Sequence, residues 1–162
     1  MKLESKSAQV ALHWITQLLR QQSIPYQIEG GLAAKAYGVS RPLNDIDLAV
    51  PNLALVHIAK WTNPYITFGP ARWQDETWDL MLLTLEYEGQ SIDIVGADDG
   101  QLFNKRTQQW QKCPAHLDTA VLKNIDGQLL PIIAKTDLIA YKILLQREVD
   151  VVDLAGLQNI PA

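Results

Sequence analysis

The sequence predicts an α+β fold, a mixed β-sheet flanked by helices. Three observations carry that reading. Segments of helical periodicity alternate with short strand-like runs. Two tripeptides, Glu88-Gly89-Gln90 and Asp126-Gly127-Gln128, separate apolar runs as hairpin turns do. No repeat and no Gly/Ser linker divides the 162 residues, a length that suits one compact domain over 1–162.

The elements follow in chain order. Val10, Leu12, Trp14, Ile15, Leu18 and Leu19 recur at helical spacing across 7–21. Ile24-Pro25 then stops the helix, since proline disfavours the helical conformation in its predecessor. Residues 26–28 alternate as a short strand that runs into Gly30-Gly31, and 32–37 read as a short helix closed by Gly38. Residues 45–50 alternate charged and apolar side chains ahead of Pro51, a strand signature; Asn52 is expected to cap a helix through Trp61. The runs 80–87 and 91–95 form the first expected hairpin, 102–110 are expected to be helical, and 121–125 with 129–133 form the second hairpin. Thr136 is expected to cap a helix over 137–147, and a last helix covers 149–157, giving C-terminal helices at about 136–157. Strand order is not readable from these patterns.

Bulk properties narrow the class of protein. With 48% apolar and 20% charged residues the chain is not expected to be disordered. No uncharged run reaches the roughly 18–20 residues of a membrane span, and Met1-Lys2-Leu3-Glu4-Ser5-Lys6 does not read as a signal peptide. The single cysteine, Cys113, rules out an intramolecular disulfide and fits a reducing compartment. A net charge of −4 and a pI near 5.3 weigh against an extended nucleic acid as partner. The expectation is a soluble, cytoplasmic protein.

The chemistry concentrates between Gly30 and Leu48. Asp45 and Asp47 stand two residues apart in an expected strand, so their side chains share a face while Ile46 and Leu48 take the other. Like charges that close repel unless something positive lies between them, and an oxygen-seeking divalent cation does this naturally. A third carboxylate, Asp93, stands in the same apolar frame as Ile92-Asp93-Ile94. Three such acids on rigid strands suit two-metal phosphoryl chemistry. Gly30-Gly31, between a strand and a helix, would let backbone N–H groups approach a phosphate.

These parts together resemble the nucleotidyltransferase superfamily with the DNA polymerase β-like catalytic fold. The family pattern is an apolar residue, Gly, then Gly or Ser, a gap, an Asp-apolar-Asp/Glu-apolar run, and later a carboxylate between apolar residues. Here the parts are Glu29-Gly30-Gly31, a gap of thirteen residues (32–44), Asp45-Ile46-Asp47-Leu48, and Ile92-Asp93-Ile94. Glu29 departs from the apolar residue expected first, and the second glycine removes a serine hydroxyl contact to phosphate. The resemblance covers about 24–95. More loosely, Lys135 to Lys142 and Arg147 to Leu154 are similar to the closing helices of small bacterial nucleotidyltransferases, including those of toxin–antitoxin systems and lincosamide-modifying enzymes.

The resemblance implies Mg²⁺- or Mn²⁺-dependent transfer of a nucleoside monophosphate from an NTP to an acceptor hydroxyl. It gives Asp45, Asp47 and Asp93 the metal and catalytic roles and sets Gly30 and Gly31 against the triphosphate. Arg41, four residues before Asp45, reads either as a phosphate contact or as a loop arginine fixing the turn at Pro42, and Lys142 is a candidate nucleotide contact. The acceptor stays open among antibiotic, tRNA end, protein side chain and metabolite. The alternative is a nucleotide-binding component of a toxin–antitoxin-type pair that works through a protein partner.

Other features have plainer readings beside the functional ones. Lys142, Arg147, Asp150 and Asp153 read as an ion-pair network between the last two helices; the competing reading puts Lys142 or Lys135 on phosphate or acceptor, and Asp150 or Asp153 near the acceptor as a base. Trp73 and Trp78 are candidates to stack on a base or an acceptor, against simple hairpin packing. Lys35 reads as solvated, Asp98-Asp99-Gly100 as an ordinary turn. His13, His57 and His116 lack metal-ligand spacing around Cys113. An EF-hand over Asp45 fails, because Val50 and Val56 occupy the positions that need glycine and glutamate.

Overall fold

The computed structural model describes residues 1–159; the last three of the expected domain, 160–162, lie outside the described residues. In chain order the helices are α1 (Lys6–Gln21), α2 (Gly30–Ala36), α3 (Asn52–Thr62), α4 (Lys135–Leu145) and α5 (Glu148–Asn159). The strands are β1 (Gln27–Ile28), β2 (Ile46–Val50), β3 (Ile66–Gln74), β4 (Trp78–Tyr87), β5 (Gln90–Gly96), β6 (Gln101–Asn104), β7 (Gln109–Lys112), β8 (Val121–Ile125) and β9 (Gln128–Ile132). The α+β expectation holds.

All nine strands join one mixed sheet in the order β7-β6-β4-β5-β2-β1-β9-β8, with β3 paired to the other edge of β4. The pairing β2–β5 is parallel, as is β1–β9, and the remaining neighbours run antiparallel. The parallel β2–β5 pairing sets Asp47 directly beside Asp93, and the antiparallel β4–β5 pairing sets Thr84 on the other side of Asp93.

One sheet face is the core. Ile46, Leu48, Ile92, Ile94, Leu83 and Leu85 are all fully buried there. α1 covers it with Ala8, Ala11, Leu12, Ile15 and Leu19, a stripe at helical spacing, and α3 adds Leu55 and Ile58. Truncating one of these central leucines to alanine would cost about 2–5 kcal/mol, so the strands that carry the acids are held firmly from behind. α1 begins one residue before the expected 7–21, capped by the Ser5 hydroxyl, which accepts from Ala8 N–H at 3.3 Å.

Several expectations need correction. Residues 102–110 are two strands, β6 and β7, joined by a turn in which Asn104 accepts from the N–H groups of Arg106 and Thr107. β3, a strand the sequence reading left out, pairs along β4 with two register shifts around Gly69-Pro70. Asn52 is the first residue of α3 rather than its cap; the Asp98 carboxylate accepts its N–H at 2.9 Å, so the Asp98-Asp99-Gly100 turn caps that helix from another strand. α4 begins after Ala134, not Thr136, and ends at Leu145 where Gln146 turns left-handed (φ 52°).

Candidate active site

Strand alternation puts the candidate residues on the sheet face opposite the core. Asp47 and Ala49 of β2, Ser91, Asp93 and Val95 of β5, and Thr84, Leu82 and Leu80 of β4 all line one cavity of about 600 Å³. α2 closes one side with Gly30 and Gly31, while Tyr141, Lys142, Arg147 and Val149 close another from α4, α5 and their junction.

Asp45, Asp47 and Asp93 converge there, as the sequence predicts. One carboxylate oxygen from each lies within 4.8 Å of the others. Burial pushes the Asp47 carboxyl up to about 8, and the charges of Asp45, Asp93 and Glu29 push in the same direction. Asp93 is also raised, mainly by burial, although it accepts a 2.7 Å hydrogen bond from the Thr84 hydroxyl that works against the shift. Acids this crowded, with oxygen donors aimed at one point, fit a hard divalent cation, which would remove both the repulsion and the raised proton affinity.

The glycine pair is explained by two side chains rather than by the turn alone. Gly30 has φ +57°, and a Cβ there would land on the Asp47 carboxylate. A Cβ on Gly31 would come within 2.6 Å of Arg41 Nη2. Both Asp47 and Arg41 therefore pack closely against α2. The helix itself starts at Gly30, two residues earlier than the periodicity predicts.

Arg41 lines the cavity, with its Nε and Nη2 donating to the two Asp153 oxygens at 2.6 and 2.9 Å. Its Nη1 donates to the Pro42 carbonyl, and Lys35 holds the same loop through the Arg41 carbonyl at 2.7 Å, so Lys35 is more than a solvated side chain. Lys142 lines the cavity too, but the residue is only 1% exposed and its ammonium is bonded to Asp150 at 3.1 Å and Asp153 at 2.8 Å. The ion-pair network is the reading the structure supports. Although burial pulls the other way, Arg147 and Lys142 hold the Asp150 carboxyl below its usual range, and Arg41 and Lys142 do the same for Asp153. Neither acid suits a catalytic base, because both are fully buried and saturated with cations.

Three cavity residues were not assigned a role from the sequence. Glu29, read only as a mismatch, is 6% exposed, lines the cavity and accepts from Gln27 Nε2 at 2.8 Å. Burial raises its carboxyl to about 7. Thr84 orients Asp93, and the Tyr141 hydroxyl is raised well above its usual value by burial and by Glu29 and Asp47. A polar residue buried where a family pattern asks for an apolar one was the available signal for Glu29; Thr84 and Tyr141 gave none. Among the described residues, Asp45, Asp47 and Asp93 form the only group with metal-ligand geometry, and no helix is long and apolar enough to cross a membrane.

No family model matches the sequence, and no curated protein matches it. Solved structures do. TM1012 of Thermotoga maritima, a proposed nucleotidyltransferase, aligns with a TM-score of 0.75 at 16% identity over 98% of this chain and 96% of its own. The lincosamide antibiotic adenylyltransferase LnuA, with lincomycin bound, aligns with a TM-score of 0.62 at 17% identity over 93% of this chain and 96% of its own. ANT(2″)-Ia in complex with adenylyl-2″-tobramycin aligns with a TM-score of 0.61 at 15% identity over 91% and 86%. The chain has the nucleotidyltransferase fold across nearly its full length.

Proposed function

We propose that this protein is a metal-dependent nucleotidyltransferase, working as one domain over 1–162, that moves a nucleoside monophosphate from an NTP to an acceptor hydroxyl. The acceptor oxygen bonds to the α-phosphorus, the bond to the pyrophosphate oxygen breaks, and the acceptor proton leaves toward Asp93 or solvent. The observation that carries this reading is the convergence of Asp45, Asp47 and Asp93 beside Gly30-Gly31 on one cavity floor. Adenylyltransferases of the same fold, acting on a lincosamide and on tobramycin, support it.

Asp45, Asp47 and Asp93 would hold Mg²⁺ or Mn²⁺, which neutralises phosphate charge and orients the reacting oxygens. Gly30 and Gly31 let Asp47 and Arg41 approach α2 closely, at the edge of the cavity where the phosphates would sit. Asp93, hydrogen-bonded to Thr84, sits one strand farther from the glycines, on the side from which the acceptor must come. The glycine backbone would bind the leaving phosphates, with Arg41, which also holds Asp153, at the same edge.

The test is mass spectrometry of the protein with NTPs, Mg²⁺ and a panel of hydroxyl acceptors that includes tobramycin and lincomycin. Acceptor mass raised by one nucleoside monophosphate, with pyrophosphate released and both abolished by EDTA, is the expected result. Tight Mg²⁺-dependent NTP binding with no transfer to any acceptor, and a protein partner co-purifying at fixed stoichiometry, would replace transfer with the partner-directed reading.

A further inference from the structure

Resting on the transfer reading, we propose that the β3–β4 wall of the cavity is the acceptor subsite, and that it selects a hydroxylated organic amine in its protonated form. The sheet order supplies the position. Gly30-Gly31 lie beside β2, Asp93 lies on β5, and β4 and then β3 follow beyond it. A nucleophile that passes Asp93 on its way to the phosphate comes from the β4–β3 side.

That side is aromatic. The pairing of β3 with β4 sets Trp73 opposite Leu80 and Phe68 opposite Thr84, so both rings share the acid-bearing face. Phe68 and Trp73 meet edge to face at 5.3 Å, and Trp78 packs against Tyr141 of α4 at 5.6 Å. All four line the cavity, and Trp73 remains 40% exposed. A compact interior packing role would bury such rings; here their surfaces border the open volume. Aromatic faces attract organic cations, by about 0.5–2 kcal/mol according to solvation.

Charge points the same way. The cavity is lined by Glu29, Asp45, Asp47, Asp75 and Asp93 against Arg41, Lys142 and Arg147. Each of those three cations is already bonded to Asp150 or Asp153. After metal is taken up by the three floor acids, Asp75 still stands at the aromatic end. It accepts from Trp73 Nε1 at 3.0 Å and from the N–H groups of Thr77 and Trp78 at 2.8 and 2.7 Å, which fixes its carboxylate beside the indole. An anionic acceptor, a nucleic-acid end included, meets repulsion there, and among the described lining residues each cation is already paired. A protonated amine meets indole faces and a fixed carboxylate.

Three probes with one ring and different charge separate the outcomes: glucosamine (cation), N-acetylglucosamine (neutral) and glucuronate (anion). Saturation-transfer NMR would follow each on the full chain with Mg²⁺ and saturating α,β-methylene ATP, which binds without transfer. Glucosamine should bind at least about fivefold more tightly than glucuronate and lose at least about fivefold in Trp73→Ala. Asp75→Asn should reduce the glucosamine preference, while Mg²⁺–nucleotide affinity stays within about twofold in both variants and so reports an intact fold. Equal binding of glucuronate, undiminished glucosamine binding in Trp73→Ala, silence from glucosamine in the wild type, or its displacement by the nucleotide analogue would each overturn the subsite. Loss of nucleotide binding in the wild type with glucosamine still bound would instead overturn the transfer reading and leave the cation subsite standing.

Discussion

Asp47 on the sheet floor and Asp153 on α5 are both enclosed aspartates, yet the fold treats them oppositely. Asp47 is crowded by Asp45, Asp93 and Glu29 and is pushed up to about 8. Asp153 is fully buried but receives Arg41 on two bonds and Lys142 at 2.8 Å, and its carboxyl stays below the usual range. Burial opposes ionisation in both places; Arg147 acts on Asp47 only weakly, whereas Asp153 has two cations bonded to its carboxylate. Acids compensated by the chain's own side chains serve the joint between α2, α4 and α5. Asp45, Asp47 and Asp93, left largely uncompensated, are where the proposed metal would bind.

The largest expected effect falls on the floor. Asp45→Asn/Asp47→Asn should reduce nucleotidyl transfer by at least about a thousandfold, since metal stabilisation of transition-state charge amounts to several kcal/mol; single-turnover transfer to the acceptor found by mass spectrometry checks it. The joint should fail differently. Lys142→Met leaves Asp150 and Asp153 short of a cation and should lower stability by about 3–5 kcal/mol in urea unfolding. Asp47→Asn should leave the metal-free protein as stable as wild type or more so, because it removes an acid that repels its neighbours. A similar loss of stability in both variants would erase the distinction between the two regions.

Asp93→Asn sharpens the picture within the floor. Turnover should fall at least about a hundredfold while NTP affinity changes less than about tenfold, because an acceptor-side acid acts mainly in the transition state. Single-turnover rates beside an NTP titration separate the two quantities.

The smallest effect is a slope in pH. Asp47 has an unfolded value near about 4 and a folded value of about 8, so its protonated carboxyl favours the folded state. That contribution is full below the unfolded value and is lost as pH rises through about 8. Glu29, raised to about 7, adds in the same direction. The metal-free melting temperature should therefore fall between about pH 5 and pH 9, and the fall should be shallower in Asp47→Asn. Asp150 and Asp153, with lowered values, contribute the reverse: stability lost as pH falls below the usual carboxylate range.

The sequence displays this contrast unevenly. Asp45, Asp47 and Asp93 were legible because residues i and i+2 share a face in an extended run and because apolar neighbours frame Asp47 and Asp93. The register that sets Asp47 beside Asp93 was not, since it arises from a parallel pairing between residues 46 positions apart in sequence, with β4 added on the far side. Local signals misled where polar residues fill strands. Gln101 to Lys112 has no clean alternation, so two four-residue strands and their turn read as a helix. β3 carries Gly69-Pro70 in its middle and sits on a sheet edge, where bulges are tolerated and periodicity is lost. Lys142 looked available because helical spacing shows which residues share a face, not whether that face is turned inward against two acids.

The central claim is that the three floor acids form a metal-dependent nucleotide site, and calorimetric titration of ATP into wild type and Asp47→Asn, with and without Mg²⁺, addresses it most directly. The account predicts binding to the wild type only with Mg²⁺ present, weakened at least about tenfold in the variant. Metal-independent ATP binding of equal affinity in both proteins would contradict it.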